Sequence, residues 1–160
     1  MSAPEAERGD QSDWVEKVLP TDLGVIRPAE RDMLARLGEL QYGDDNRFAI
    51  RLAFEEALVN AMKHGNRMDP SRHVCLSYRV SAECVEIRIR DEGEGFDPYL
   101  VPDPTSDENL QRPCGRGIML MRSYMDKVSY ASSGREVRMV KYRHSGPTPR
   151  VPAPEMGRLP

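Results

Sequence analysis

The chain has 160 residues, with 26 acidic and 23 basic side chains and a net charge of −3. This length predicts one domain with a single core, and the absence of lysine- or arginine-rich runs argues against nucleic acid as a direct partner. The three cysteines are scattered without a CxxC pair, the first residues are polar, and no apolar run approaches the ~18 residues of a membrane span. We therefore expect a cytoplasmic protein without membrane segments.

Both ends of the chain are predicted to be disordered, which leaves residues 13–143 as the folded domain. Residues 1–12 are small and charged, and residues 144–160 carry five prolines. A short strand is expected at 14–19. A helix should begin near Pro28, because proline suits a first helical turn, and end before Gly43. Its apolar residues recur at helical spacing: Ala29, Met33, Leu34, Leu37 and Leu40.

A second helix is predicted from Asp44 or Asp45 to Gly65, and it carries an unusual polar row. Glu56, Asn60 and His64 are four residues apart and therefore lie along one side of the helix. Two apolar arcs flank this row, the first formed by Phe48, Leu52 and Val59 and the second by Ile50, Phe54, Ala57 and Ala61. Because both arcs are expected to be buried, the polar row needs a binding partner.

Two hairpins are predicted by alternating apolar residues. The first pairs residues 74–80 with 85–89, and the second pairs 127–131 with 136–143 through a turn at 132–134. Between them lie a long irregular segment, 97–114, and a helix whose apolar positions include Ile118, Met121 and Met125. A long segment without regular structure is usually functional or mobile.

Glycines gather at two places that suit a nucleotide. In Asp91-x-Gly93-x-Gly95, a carboxylate at a strand end can accept a hydrogen from an exocyclic amine, while the glycines let a flat base approach the backbone. In Gly115-Arg116-Gly117, backbone N–H groups at a helix start suit a di- or triphosphate. The chain contains neither a GxxxxGK[ST] P-loop nor a GxGxxG that opens a helix after a strand.

The polar row can supply the remaining chemistry of phosphoryl transfer. Asn60 offers an oxygen ligand for Mg²⁺, and Glu56 can accept a proton from an attacking hydroxyl group or water. Each feature alone has an ordinary explanation: a solvated helix face, a helix-end histidine, an acidic turn, or a glycine before a helix. Their order along the chain favours the nucleotide interpretation.

That order resembles the GHKL, or Bergerat-fold, ATPases. EALVNAMKHG matches the N box, DEGEGFDP the first glycine box and GRGIMLM the second. Within this superfamily, ExxxNAxxHG, DxGxGFDP and GxGIxLMxxxMDxV in one small domain are similar to the anti-sigma-factor serine kinases. The resemblance covers about residues 14–143. It implies an α/β two-layer sandwich in which helices cover one face of a mixed, largely antiparallel sheet, with ATP under a lid at 97–114.

The resemblance also implies roles for individual residues. Glu56 would be the general base, Asn60 the Mg²⁺ ligand and Asp91 the carboxylate that recognises adenine. The other nucleotide-binding positions carried by the motifs are Lys63, His64, Gly65, Gly93, Gly95, Phe96, Gly115, Arg116, Gly117 and Ile118. Family members commonly carry a threonine just after the glycine of the last hairpin, where this chain has Gly134-Arg135-Glu136.

The function implied by the resemblance is that of an ATP-dependent protein serine/threonine kinase. It would phosphorylate a small STAS-type anti-sigma-factor antagonist, sequester a sigma factor and form a homodimer. One alternative is a non-catalytic module in which ATP switches a partner interface. A detached ATPase half of a histidine kinase is another, although no phosphoacceptor helix precedes the domain and neither His73 nor His144 lies in a suitable context.

Overall fold

The computed structural model describes residues 13–95 and 120–143. The chain begins with strand β1 (Val15–Pro20), passes through a short 3-10 turn (Leu23–Val25), and forms helices α1 (Ile26–Glu39) and α2 (Asp44–Asn60). A π-helical turn (Ala61–Gly65) continues α2, and strands β2 (His73–Val80) and β3 (Cys84–Arg90) follow it. After helical residues 120–124, strands β4 (Lys127–Ala131) and β5 (Glu136–Tyr142) complete the described part.

The five strands form one sheet in the order β1-β2-β3-β5-β4. All four pairings between these strands are antiparallel. Helix α2 packs against β3 and β5, and α1 packs against α2. The two predicted hairpins and the α/β sandwich are therefore confirmed.

The hydrophobic core lies between the helices and one face of the sheet. Alternate residues of β2, β3 and β5 point into it, as the period of a strand requires. The largest fully buried side chains are Tyr78, Phe54, Met33, Leu37, Ile50, Leu58, Met62, Leu76, Ile87, Ile89, Met121 and Met139. At ~25 cal/mol per Å² of buried apolar surface, this layer is the main stabilising contribution to the fold.

The opposite face of the sheet carries mostly polar side chains in the described residues, together with Trp14 and Val18. Trp14 lies there beneath two guanidinium groups, with its ring centroid 4.4 Å from Cζ of Arg88 and 5.2 Å from Cζ of Arg79. Val18, in the edge strand β1, is 68% exposed and belongs to this face. The sequence left the orientation of this strand open, and the burial of Leu19 decides it.

One prediction about α2 is wrong. The arc of Phe48, Leu52 and Val59 is not buried: Phe48 is 52% exposed, and the other two are only partly buried. Phe48 meets Tyr124 edge to face, with 6.1 Å between the ring centroids. Because only the arc that includes Ile50 and Phe54 faces the sheet, the polar row borders one buried face and one accessible face.

The helix also changes its geometry where the sequence predicted a continuous α-helix to Gly65. The N–H of Asn66 donates to the carbonyl oxygen of Ala61 at 2.8 Å, an i→i+5 contact that characterises a π turn. Single π turns inside α-helices are frequently found at functional sites.

Several predictions lie outside the described residues. They concern the two chain ends, the lid at 97–114, the second glycine box, Phe96 and Ile118. Among the described residues, no helix is both long enough and apolar enough to span a membrane.

Candidate functional site

The centre of the site is Asp91, at the point where β3 ends. Its side chain is 9% exposed, and its backbone N–H donates to the carbonyl oxygen of Arg135 at 2.9 Å. One carboxylate oxygen, Oδ1, accepts the N–H of Gly93 at 2.8 Å. These contacts fix both the backbone and the side chain of Asp91.

The surroundings of Asp91 shift the pKa of its carboxyl group. Burial raises the pKa of this carboxyl group, while the hydrogen bond from Gly93 and the positive charge of Arg135 act in the opposite direction. Burial is the largest of these effects, because removing a carboxylate from water disfavours its charged form. A buried carboxylate with a raised pKa at a strand end is a frequent feature of ligand sites.

Glycines are required around Asp91 because there is no room for side chains. A Cβ atom on Gly65 would lie 2.3 Å from both Cγ and Oδ2 of Asp91. A Cβ on Gly93 would lie 2.0 Å from the carbonyl oxygen of Gly65. The end of the π turn therefore packs directly on the Asp91 loop, which brings the N-box segment and the first glycine box together.

Gly95 has a further reason to be glycine. Its φ angle is +82°, and a Cβ atom there would lie 2.1 Å from the carbonyl oxygen of Ser133 in the last hairpin. The first glycine box thus also contacts the β4–β5 turn. Both close contacts are with the protein's own backbone. The approach of a flat base to these glycines, which the sequence predicted, stays a prediction.

Arg135 and Glu136 stand where family members commonly carry a threonine, and they make different contacts. Arg135 accepts the backbone hydrogen bond from Asp91, and its charge lowers the pKa of that carboxyl group. Glu136 accepts a hydrogen bond from Nε of Arg138 at 2.7 Å. Neither residue offers a hydroxyl group beside Asp91.

Glu56 and Asn60 lie on α2, just before the π turn. Both are partly buried, and neither side chain has a hydrogen-bond or ion-pair partner among residues 13–95 and 120–143. Within the described part of the chain, nothing therefore occupies their polar atoms. A single amide oxygen suits Mg²⁺, which is usually bound by few protein oxygens together with phosphate and water. An amide oxygen such as that of Asn60 is a ligand type that Mg²⁺ accepts. The described residues contain no group of three or more His, Cys, Asp or Glu that could hold a metal ion.

Lys63 and His64 lie within the π turn and are exposed. Partial desolvation of the imidazole, and to a smaller extent the charge of Lys63, lower the pKa of His64. A neutral imidazole is therefore favoured near neutral pH. His64 thus follows Asn60 across a change from the α-helical to the π-helical repeat.

Sequence reasoning missed Asn66, which is fully buried beside Asp91. Its amide contacts Thr21, His73 and the backbone of Glu92. The only sequence signal was its position directly after the N-box glycine. Thr21 had none.

Residues 19–141 match the family model described as a histidine kinase-like ATPase domain. The chain belongs to this family. The match includes both α2 and Asp91, so the two regions that Gly65 joins lie within the family domain.

Individual relatives place the chain more narrowly within the ATPase family. The serine-protein kinase RsbW of Bacillus subtilis is 30% identical, over 83% of this chain and 88% of its own length. RsbW proteins of Bacillus velezensis and Bacillus licheniformis are 29% and 28% identical, over 81% and 82% of this chain and 86% of their own lengths in both cases. Within the ATPase family, the chain therefore belongs with the RsbW serine-protein kinases, which confirms the predicted resemblance.

Proposed function

We propose that this protein is an ATP-dependent protein serine kinase of the anti-sigma-factor type. It transfers the γ-phosphate of ATP to a serine or threonine of a small STAS-type antagonist and, in its other partner state, sequesters a sigma factor. The similarity to RsbW kinases over most of both chains supports this assignment. By sequestering a sigma factor, the protein would regulate transcription. We further propose that it acts in the cytoplasm and forms a homodimer.

The observation that carries the proposal is the approach of Gly65 to Asp91. It joins the helix that bears Glu56 and Asn60 to a carboxylate suited to an exocyclic amine. Adenine would be recognised by Asp91 at one end of the site. Glu56 and Asn60, whose side chains have no partner in the described part of the chain, would supply polar groups from the adjoining helix.

The proposed chemistry depends mainly on positioning and charge neutralisation, as phosphoryl transfer generally does. Glu56 would accept the proton of the attacking serine hydroxyl. Asn60 would hold Mg²⁺, which when bound neutralises charge on the phosphates. Gly115 and Gly117, with Arg116, would contact the phosphates, as their motif predicts.

Label transfer tests this function. The purified protein is incubated with γ-labelled ATP, Mg²⁺ and candidate antagonist proteins, and a labelled antagonist serine is the expected result. Association that depends on nucleotide without any transfer of label would favour the alternative, a non-catalytic switch. Recovery of neither a sigma factor nor a serine-bearing antagonist by co-purification would contradict the partner assignment.

A further inference from the structure

Asn66 connects four segments of the chain through one buried amide. Its exposed fraction is 0%. Nδ2 donates to Oγ1 of Thr21 and to the carbonyl oxygen of His73, each at 3.0 Å. Oδ1 accepts the backbone N–H of Glu92 at 2.8 Å. The amide thus ties the end of the π turn to the exit of β1, the start of β2 and the exit of β3.

The hydrogen bonds around Asn66 can run in only one direction. The hydroxyl group of Thr21 donates to the carbonyl oxygen of Arg72 at 2.6 Å, so it must accept from the amide of Asn66. The carbonyl oxygen of His73 also needs a donor, and the N–H of Glu92 needs an acceptor. This set of partners requires two donors and one acceptor, which a side-chain amide supplies and a carboxylate does not.

The position of Glu92 transmits this constraint to Asp91. Glu92 directly follows Asp91, and its backbone N–H is the group held by Asn66. Its side chain returns to the start of β2, where Oε1 accepts the backbone N–H of His73 at 2.6 Å. The peptide unit between Asp91 and Glu92 is therefore held by Asn66, a residue outside the Asp91 loop.

We infer that Asn66, supported by Thr21, is a positioning residue that sets the orientation of Asp91 and with it the selectivity of the site for adenine over guanine. This inference rests on the proposed function, in which Asp91 accepts a hydrogen from the amino group of adenine. Guanine presents a carbonyl oxygen at the same place, which a correctly placed carboxylate repels. A displaced carboxylate loses the bond to adenine and the repulsion of guanine together.

The test compares ATP and GTP affinities of the full-length protein and its variants by calorimetry. Asn66→Asp is nearly isosteric, but it places a carboxylate oxygen against the carbonyl oxygen of His73. We expect the preference for ATP over GTP to fall about tenfold, equivalent to ~1.4 kcal/mol. Thr21→Val removes the supporting hydroxyl group and should lower the preference for ATP by a smaller factor. Thr21→Ser keeps the hydroxyl group and should retain the wild-type preference.

A purely structural role gives a different result. If Asn66→Asp lowers the melting temperature but weakens ATP and GTP binding equally, the positioning role is wrong. If that variant does not fold, Thr21→Val decides the question by the same ratio. Asp91→Asn separates the two proposals: if it abolishes the ATP preference while the Asn66 and Thr21 variants keep it, only the inference fails. If the wild-type protein does not bind ATP, the proposed function itself fails.

Discussion

The two halves of the site differ in how their polar groups are satisfied. At Asp91, the carboxylate, its backbone and the neighbouring peptide are held by Gly93, Arg135 and Asn66. At Glu56 and Asn60, the side chains are partly buried and have no partner in the described part of the chain. One half is fixed before a ligand arrives, and the other keeps its groups available.

This difference corresponds to two kinds of task. Selective recognition of a base benefits from a carboxylate whose position costs nothing further on binding. Metal coordination and proton transfer need groups with unused acceptor capacity. Substitutions in the available half should therefore affect turnover, and those in the fixed half should affect affinity and stability.

The largest expected effect is on turnover, from Glu56→Gln. Removing a general base typically costs 10²- to 10⁴-fold, and we expect about this loss in phosphate transfer to the antagonist with ATP affinity retained. The neighbouring, exposed Glu55→Gln serves as the matched control and should transfer phosphate at the wild-type rate. Undiminished transfer by Glu56→Gln would remove Glu56 from the role of base.

Asp91→Asn should reduce ATP affinity rather than the rate of transfer by bound ATP. Hydrogen bonds to charged groups contribute ~1.5–3 kcal/mol, so we expect the dissociation constant to rise about 10- to 100-fold. Titration by calorimetry gives the affinity, and single-turnover transfer at saturating ATP gives the rate. An unchanged affinity would show that Asp91 does not contact the base.

Two glycine substitutions contrast the site with the rest of the helical layer. Gly65→Ala places a methyl group 2.3 Å from the Asp91 carboxylate, and the overpacking should cost about 1–3 kcal/mol of unfolding free energy and weaken ATP binding. Gly38, in α1, has no atom within 4 Å of a Cβ, so Gly38→Ala should stabilise the protein by about 0.5–1 kcal/mol. Denaturant unfolding measures both, and equal effects would contradict the close approach of Gly65 to Asp91.

The smallest expected effect is the change of folding stability and ATP affinity with pH. Burial raises the pKa of Asp91, so the folded protein binds a proton there at a higher pH than an unfolded chain does. As the pH falls through this raised pKa, the contribution of Asp91 to folding stability should increase, whereas ATP affinity should decrease because the carboxylate is lost. Asp91→Asn should show neither trend, and the difference between wild type and variant isolates the contribution of this residue. Parallel pH profiles of the two proteins would contradict the assignment.

Local pattern was sufficient to predict most of the fold. The alternation in β2 and β3 placed Val74, Leu76 and Ile87 on the buried face, because a strand has a period of two. The spacing of Ala29, Met33 and Leu37 likewise identified the buried side of α1. The π turn could not be predicted, because its energy depends on how Ala61–Gly65 packs against the Asp91 loop.

Tertiary contacts also decided which side of α2 is buried, and the sequence alone did not predict it. Phe48 and Phe54 are the same residue type on one helix, but Phe54 is fully buried whereas Phe48 is 52% exposed and meets Tyr124 edge to face. Periodicity identifies a helix face without saying what covers it. The prediction of two buried arcs failed for this reason.

The sequence by itself determined the order of the motifs and the two hairpins. It also singled out Glu56, Asn60 and Asp91 as the candidate catalytic and ligand-binding residues. Those features depend on residue type and spacing within short segments. Only the tertiary structure decided that Gly65 rests on Asp91 and that Asn66 and Thr21 hold the adjacent peptide. These contacts join residues as far apart as Thr21 and Asn66, and no local pattern records which distant hydrogen-bond partner a buried polar group will meet.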